Sequence, residues 1–324
     1  MVTLPWTLQT GQQTEYSFMH KEKPVICIVG PTGAGKTAIS LAIAKLHPCA
    51  VINMDSRQLY ADFPIITAQP SFAEQSVCPH LLYGFLPTQA KISAGEYARL
   101  AHKHMAELQE KKQLPVFVGG TGLYCKAVFE GLAEIPPVPE EISLYLQKRC
   151  AEEGANALYA ELLNIDKDYA SKIHPNDKQR ITRALEVWES TGKTFSWWHK
   201  EGPVQSKHTP FQIGIGLSLS ELEPLLVKRI DIMLSLGAVE EAKKAFENCK
   251  DANAPGWTGI GCRELLAHIT GSISLDECRE LWVKNTRAYA KRQWTWFRGR
   301  QGITWFAPSD IDGVTRHLQN NFPF

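Results

Sequence analysis

Gly30, Pro31, Thr32, Gly33, Ala34, Gly35, Lys36 and Thr37 fit the pattern G-x-x-x-x-G-K-[ST]. In such a loop the glycines let backbone N–H groups close on phosphate oxygens, the lysine neutralises charge, and the last hydroxyl suits Mg²⁺. The loop specifies phosphate, without saying whose. Further on, Asp55 opens DSRQLY, which puts the polar groups of Asp55, Ser56, Arg57 and Gln58 on one short turn. Asp55 either caps a following helix or serves as a metal-bridging group or general base beside the phosphates. GGTGLY, residues 119–124, repeats the glycine-turn design and puts Thr121 at the opening of a helix, where backbone N–H groups are free for a ligand. A tight turn needing positive φ would account for Gly119 and Gly120 but leave Thr121 unassigned.

Two helical stretches carry cations in unusual places. In HPNDKQRITRALEV, Asn176 and Asp177 suit a helix cap, yet Arg180 and Arg183 follow at once. Cations near a helix N-terminus oppose its dipole, so they serve an anion unless Glu186 or Glu189 pairs with them. Residues 281–301, LWVKNTRAYAKRQWTWFRGRQ, hold six basic residues and no acid. At about 100° per residue Lys284, Arg287, Lys291 and Arg298 share one stripe, and Trp282, Tyr289 and Trp296 the opposite one. A face of one sign favours contact with nucleic-acid phosphates over plain solvation.

These residues need a frame. VICIVG, AVINM, PVFVGG and FQIGIGLS read as short buried strands, and the phosphate loop, Asp55 and GGTGLY each directly follow one of them. Helical segments at residues 37–46 and 94–112 lie between strands, which predicts a parallel sheet with its site beyond the carboxyl ends. The predicted fold class is α/β, a P-loop NTPase-like core with an inserted all-helical subdomain and a helical C-terminal region. Proline clusters bound the insert. Residues 1–22 read as a loose extension, 23–130 and 206–324 as the core with its helical C-terminal part, and 131–205 as the insert.

A chain of 324 residues, 44% hydrophobic, with a formal net charge of +1, has no global pull toward a polyanion, so any such site must be local. No apolar run reaches membrane-span length, and the first twenty residues lack a signal layout. The eight cysteines form no CxxC pair, which predicts reduced, buried thiols in a cytoplasmic protein.

GPTGAGKT, DSRQLY, TAQP, VGGTGLY, HPNDKQRITRALEV and RAYAKRQWTWFR, in this order and spacing, resemble the tRNA dimethylallyltransferases. The resemblance spans residues 25–306. It implies transfer of a dimethylallyl group from dimethylallyl diphosphate to N6 of the adenine 3′ of the anticodon, with Mg²⁺ as cofactor and the tRNA anticodon stem-loop as partner. It implies that the phosphate loop holds the diphosphate, with Lys36 and Thr121 in catalytic roles and Thr37 on Mg²⁺, that Asp55 takes the N6 proton, and that Thr121 contacts the tRNA or lines the reaction channel. Asp55, Ser56, Arg57 and Gln58, and Gln179, Arg180, Ile181, Thr182 and Arg183, would meet tRNA, joined by the basic helix through Lys284, Arg287 and Lys291. A monomer without membrane attachment is expected.

Ile66 and Gln69 stand where the family commonly has glycine and lysine, Gly84 where it has aspartate, and IGCREL where it has a GYKE-like element. The zinc finger of eukaryotic relatives is absent from the sequence, which favours a bacterial type. An isopentenyltransferase acting on free adenine nucleotides would share the loop but need neither insert nor basic helix. A P-loop nucleotide kinase would need a mobile arginine-bearing lid, and an ATP-switched RNA-binding module would have no use for a base-like Asp55.

Overall fold

The structure is a computed structural model and describes residues 24–202 and 208–322. The expected N-terminal extension lies outside these residues. Among them six strands form one sheet, β1 Ile26–Val29, β2 Cys49–Asn53, β3 His80–Leu81, β4 Leu114–Gly119, β5 Phe211–Ile215 and β6 Ile303–Phe306. The spatial order is β3-β2-β4-β1-β5-β6, and every pairing is parallel. The inner strands are continuous apolar runs because helices cover both faces.

Strand periodicity sorts the core into two layers. Cys27, Val29, Ala50 and Ile52 point to α3 (Ala94–Glu110) and α4 (Gly122–Phe129). Ile26, Ile28, Val51 and Val116 point to α1 (Lys36–Ala44) and α14 (Ile311–Asn321). A short α2 (Phe72–Gln75) with a Ser71–Glu74 capping box lies between β2 and β3.

Between α4 and β5 the chain is helical, as α5 Glu140–Glu152, α6 Ala155–Ile165, α7 Lys167–Ala170, α8 Lys178–Thr191 and α9 Phe195–Glu201. Leu146, Leu158, Leu162, Ile181 and Leu185 give this region a core of its own. Asp166, buried, accepts from the Ser196 backbone N–H at 2.8 Å and from its hydroxyl, tying α7 to α9.

After β5 come α10 Leu219–Ser235, α11 Ala238–Asn248, α12 Cys262–Ile269 and α13 Leu275–Arg298, packed around Trp257, Leu265 and Trp282. The strands that the sequence pattern does not announce, β3 and β6, are two and four residues long and sit at the sheet edges, where little apolar pattern is needed.

Candidate active site

The order β2-β4-β1 brings three loops to one edge of the sheet, because the register pairs Asn53 with Val118 and Val29 with Gly119. The phosphate loop therefore lies on one side of the GGTG turn and Asp55 on the other. Gly33 and Gly35 adopt φ of 79° and 82°, where a side chain would be strained, and a β-carbon on Gly33 would also strike Leu226 of α10. Gly35 caps α1 with no side-chain hydrogen bond, and the first turn carries no acid, so the opening amides of α1 are left to an anion. Lys36 donates to the carbonyls of Gly30 and Pro31 at 3.0 and 2.8 Å.

Gly119 and Gly120 are not positive-φ residues, so the turn does not need glycine for that reason. They are required by close approach. A β-carbon on Gly119 would collide with the backbone of Met54, and one on Gly120 with the side-chain amide of Gln293. Thr121 then does what a glycine turn alone would not. Its backbone N–H donates to Met54 O at 3.2 Å, and its hydroxyl accepts from Ser56 N–H at 3.0 Å, which stitches the β4 loop to the Asp55 turn.

Asp55 is placed by a buried asparagine. Asn53 accepts from Asp55 N–H at 2.8 Å and donates to Asp55 O and Leu82 O at 3.0 and 2.9 Å, while its own carbonyl accepts from the Tyr97 hydroxyl at 2.6 Å. No helix follows Asp55. One carboxylate oxygen accepts from Arg57 N–H at 2.9 Å, closing a local turn rather than capping a helix.

These loops open into a cavity of about 400 Å³. Thr32, Asp55, Arg57, Arg229, Tyr289 and Arg292 give it a polar lining, and Leu226, Ile230, Met233 and Trp282 an apolar wall. Burial pushes the Lys36 ammonium down to about 8; the charge of Asp55 works against that fall and Arg229 adds to it. Burial also lowers the Arg229 guanidinium, again opposed by Asp55. The Tyr289 phenol is pushed up to about 12, chiefly by burial and then by Asp55, while a hydrogen bond with Thr121 pulls the other way. Arg57, Arg229 and Arg292 thus share the pocket with one carboxylate, and Lys36 of the phosphate loop lies close enough to feel the charges of Asp55 and Arg229, which suits a polyanionic ligand beside a proton acceptor.

The other sequence-derived candidates fall in different places. Ser56 and Arg57 line the cavity, and Arg57 also donates to Thr258 Oγ1 at 2.9 Å. Gln58 is committed to the carbonyls of Thr67 and Ala68, and so shapes the cavity's edge. Gln179 lines the cavity from the helical insert. Ile181 does not face outward; it is buried in the insert's core, because it falls on the apolar stripe of α8. Arg180 meets its cap residue Asp177 at 3.4 Å, and Arg183 meets Glu186 at 3.2 Å, so the pairing alternative holds for Arg183. Thr182 bonds back to Lys178 O.

On α13, Lys284, Arg287 and Lys291 are exposed, with Arg287 held by Glu223 at 2.8 Å. Its opposite face buries Trp282 and turns Tyr289 into the cavity. Of the residues that depart from the common pattern, Ile66 is buried in the cluster around Trp257, Leu265 and Trp282, and Gln69 donates to Tyr60 O at 2.8 Å. Gly84, at φ 54°, lies against the Gln69 side chain. Arg229 and Gln293 carry no signal in the sequence. Arg229 sits in an ordinary amphipathic helix, and Gln293 is one polar letter in an aromatic run.

Residues 58–300 match a family described as IPP transferase. A tRNA dimethylallyltransferase from Maridesulfovibrio salexigens is 57% identical over 91% of this chain and 96% of its own length. One from Nitratidesulfovibrio vulgaris is 52% identical over the same shares. Among solved structures, the full-length tRNA isopentenylpyrophosphate transferase of Bacillus halodurans superposes with TM-score 0.68 at 31% identity, covering 93% of this chain and 97% of its own. A eukaryotic dimethylallyltransferase, described as acting on tRNA, superposes with TM-score 0.78 at 28% identity over 93% of this chain and 79% of its own.

Proposed function

The chain belongs to the IPP transferase family of tRNA dimethylallyltransferases, and from that premise we propose that it transfers a dimethylallyl group from dimethylallyl diphosphate to N6 of the adenine 3′ of the anticodon, releasing diphosphate. The observation that carries this reading is one cavity lined by Thr32 of the phosphate loop, Asp55 and Arg229, with Lys36 of the same loop within reach of both charges. A γ-phosphoryl transferase needs its cations around a moving phosphoryl group. Here the anion departs whole, and the carboxylate faces the incoming nucleophile.

An adenine amine is a weak nucleophile, since its lone pair is delocalised into the ring. Asp55 accepts the N6 proton as the N–C bond forms, worth on the order of 10²- to 10⁴-fold in rate. The allylic C–O bond breaks as that bond forms, and negative charge collects on the departing diphosphate. Lys36, Arg229 and the opening amides of α1 stabilise it from fixed positions. Leu226, Ile230 and Met233 shelter the prenyl carbons from water, whose attack would give only hydrolysis. The adenine must leave its stack, which an RNA loop permits at modest cost.

Thr37 is exposed on the first turn of α1, and no group of three or more Asp, Glu, His or Cys side chains placed to hold a metal ion is found among the described residues. This sparse donor set suits Mg²⁺, which keeps several waters and takes its remaining ligands from substrate phosphates. When bound it would neutralise diphosphate charge. Gln179 and the exposed cations of α8 and α13 support a tRNA contact spanning insert and core. The eight cysteines are buried without disulfides, which supports a cytoplasmic setting.

The test is incubation with labelled dimethylallyl diphosphate and tRNA, AMP or ATP in parallel. Label is expected in tRNA alone. Label in AMP would move the reading to the nucleotide enzyme, and ATP hydrolysis without transfer would end it.

A further inference from the structure

Gln293 is a buried polar residue, 4% exposed, on the face of α13 that also buries Ala290 and Phe297. A hydrophobic side chain there would pack without the cost of desolvating an amide. Both ends of the Gln293 amide are instead spent on the two glycine loops. Its carbonyl oxygen accepts from Thr32 N–H at 2.8 Å, and its NH₂ donates to Gly120 O at 2.9 Å. The partners fix the orientation, since one is an obligate donor and the other an obligate acceptor. Gly120 has no room for a side chain because this amide fills the space. The two bonds join α13 to segments 261 and 173 residues away, so no local turn explains them.

We propose that Gln293 is a positioning residue that clamps the phosphate loop at Thr32 to the turn carrying Thr121, and so sets the leaving diphosphate relative to Asp55. The proposal rests on reading the loop as the diphosphate site. Thr32 lines the cavity directly, and Thr121 bonds the turn that holds Asp55. Donor loop and acceptor turn therefore share one side chain as their cross-brace. An error of about 1 Å between reacting groups can cost on the order of a hundredfold in rate, which is what such a brace prevents. The basic face of α13 points away from this amide, so the brace and the RNA-facing surface are separable.

The experiment compares the wild type with Gln293→Met, which keeps the length and loses both bonds, and Gln293→Glu, which keeps only the acceptor toward Thr32. Gly120→Ala displaces the amide while leaving Gln293 in place. Three quantities are read on folded protein: Kd for inorganic diphosphate by calorimetry, kcat for transfer, and Kd for tRNA. Gln293→Met and Gly120→Ala are expected to weaken diphosphate binding and lower kcat, each on the order of tenfold, with tRNA Kd within about twofold. The double variant is expected to be little worse than either single one, because both break the same brace. If Gln293→Met does not fold, Gly120→Ala carries the test. Unchanged diphosphate Kd and kcat in whichever variant folds would overturn the proposal, as would equal losses in diphosphate and tRNA binding. Absence of transfer by the wild type would instead refute the functional reading, while the diphosphate measurement would still judge the brace.

Discussion

At the residue scale Asp55 and Arg229 line the cavity, Lys36 lies within reach of both, and the three charges act on one another. Because burial pushes the Lys36 ammonium down to about 8, it is a cation at neutral pH and loses its charge as pH rises through that value. The expected result is a fall in kcat/KM for dimethylallyl diphosphate above about pH 8, since the free enzyme then offers diphosphate one cation fewer. A profile flat to pH 9.5 or so would remove Lys36 from diphosphate binding. Arg229→Leu should cost about 1.5–3 kcal/mol of donor affinity, roughly a tenfold to hundredfold rise in donor KM, with tRNA KM unchanged. Sequence showed Lys36, Asp55 and Thr121 because each follows a strand through a glycine or Asx turn with a readable signature. Arg229 and Tyr289 reach the same cavity, and Gln293 the loops beside it, from helices distant in the chain. Only tertiary packing brings them there, so no local pattern announces them.

Helix α13 presents an exposed basic face and a buried inner one. The helix dipole accounts for the charges at its ends only. Ser274, Asp276 and Glu277 stand at its start, and Arg298 in its last turn, as the helix dipole favours. That accounts for the ends and leaves Lys284, Arg287 and Lys291 in the middle. Arg287 is shared with Glu223, an exposed pair worth about 0–1 kcal/mol, which phosphate can displace. Neutralising the three should weaken tRNA binding and flatten the slope of log affinity against log salt by about 0.7–0.9 for each phosphate left without its cation. A titration of tRNA Kd against salt measures this, and an unchanged slope would return the face to solvation. The helix itself was legible from its period, and so was the opposition of basic and aromatic stripes. The division of its inner face among core, cavity and loop brace was not, since Trp282, Tyr289 and Gln293 have neighbours in different parts of the chain.

At the scale of the molecule, a parallel sheet sets out the chemistry and a separately packed helical region reaches over it. The insert has its own core around Leu158 and Leu162, and contributes Gln179 to the cavity. Leu158→Ala is expected to cost about 2–5 kcal/mol of the insert's stability and to weaken tRNA binding while sparing diphosphate binding. Calorimetry with each ligand would check that separation, and equal loss of both would mean that insert and core stand or fall together. The sheet and the helical insert follow from the hydrophobic pattern of the sequence, but the insert's approach to the phosphate loop does not.

In the proposed reaction a carboxylate takes a proton from the adenine amine while diphosphate leaves. The most direct test is the single-turnover rate of dimethylallyl transfer by Asp55→Ala, with donor bound and tRNA saturating. The predicted result is a rate lowered by at least about 10²-fold, with tRNA Kd within about twofold of wild type. A rate near that of the wild type would contradict the account, and a rate loss explained wholly by weaker tRNA binding would make Asp55 a docking residue instead.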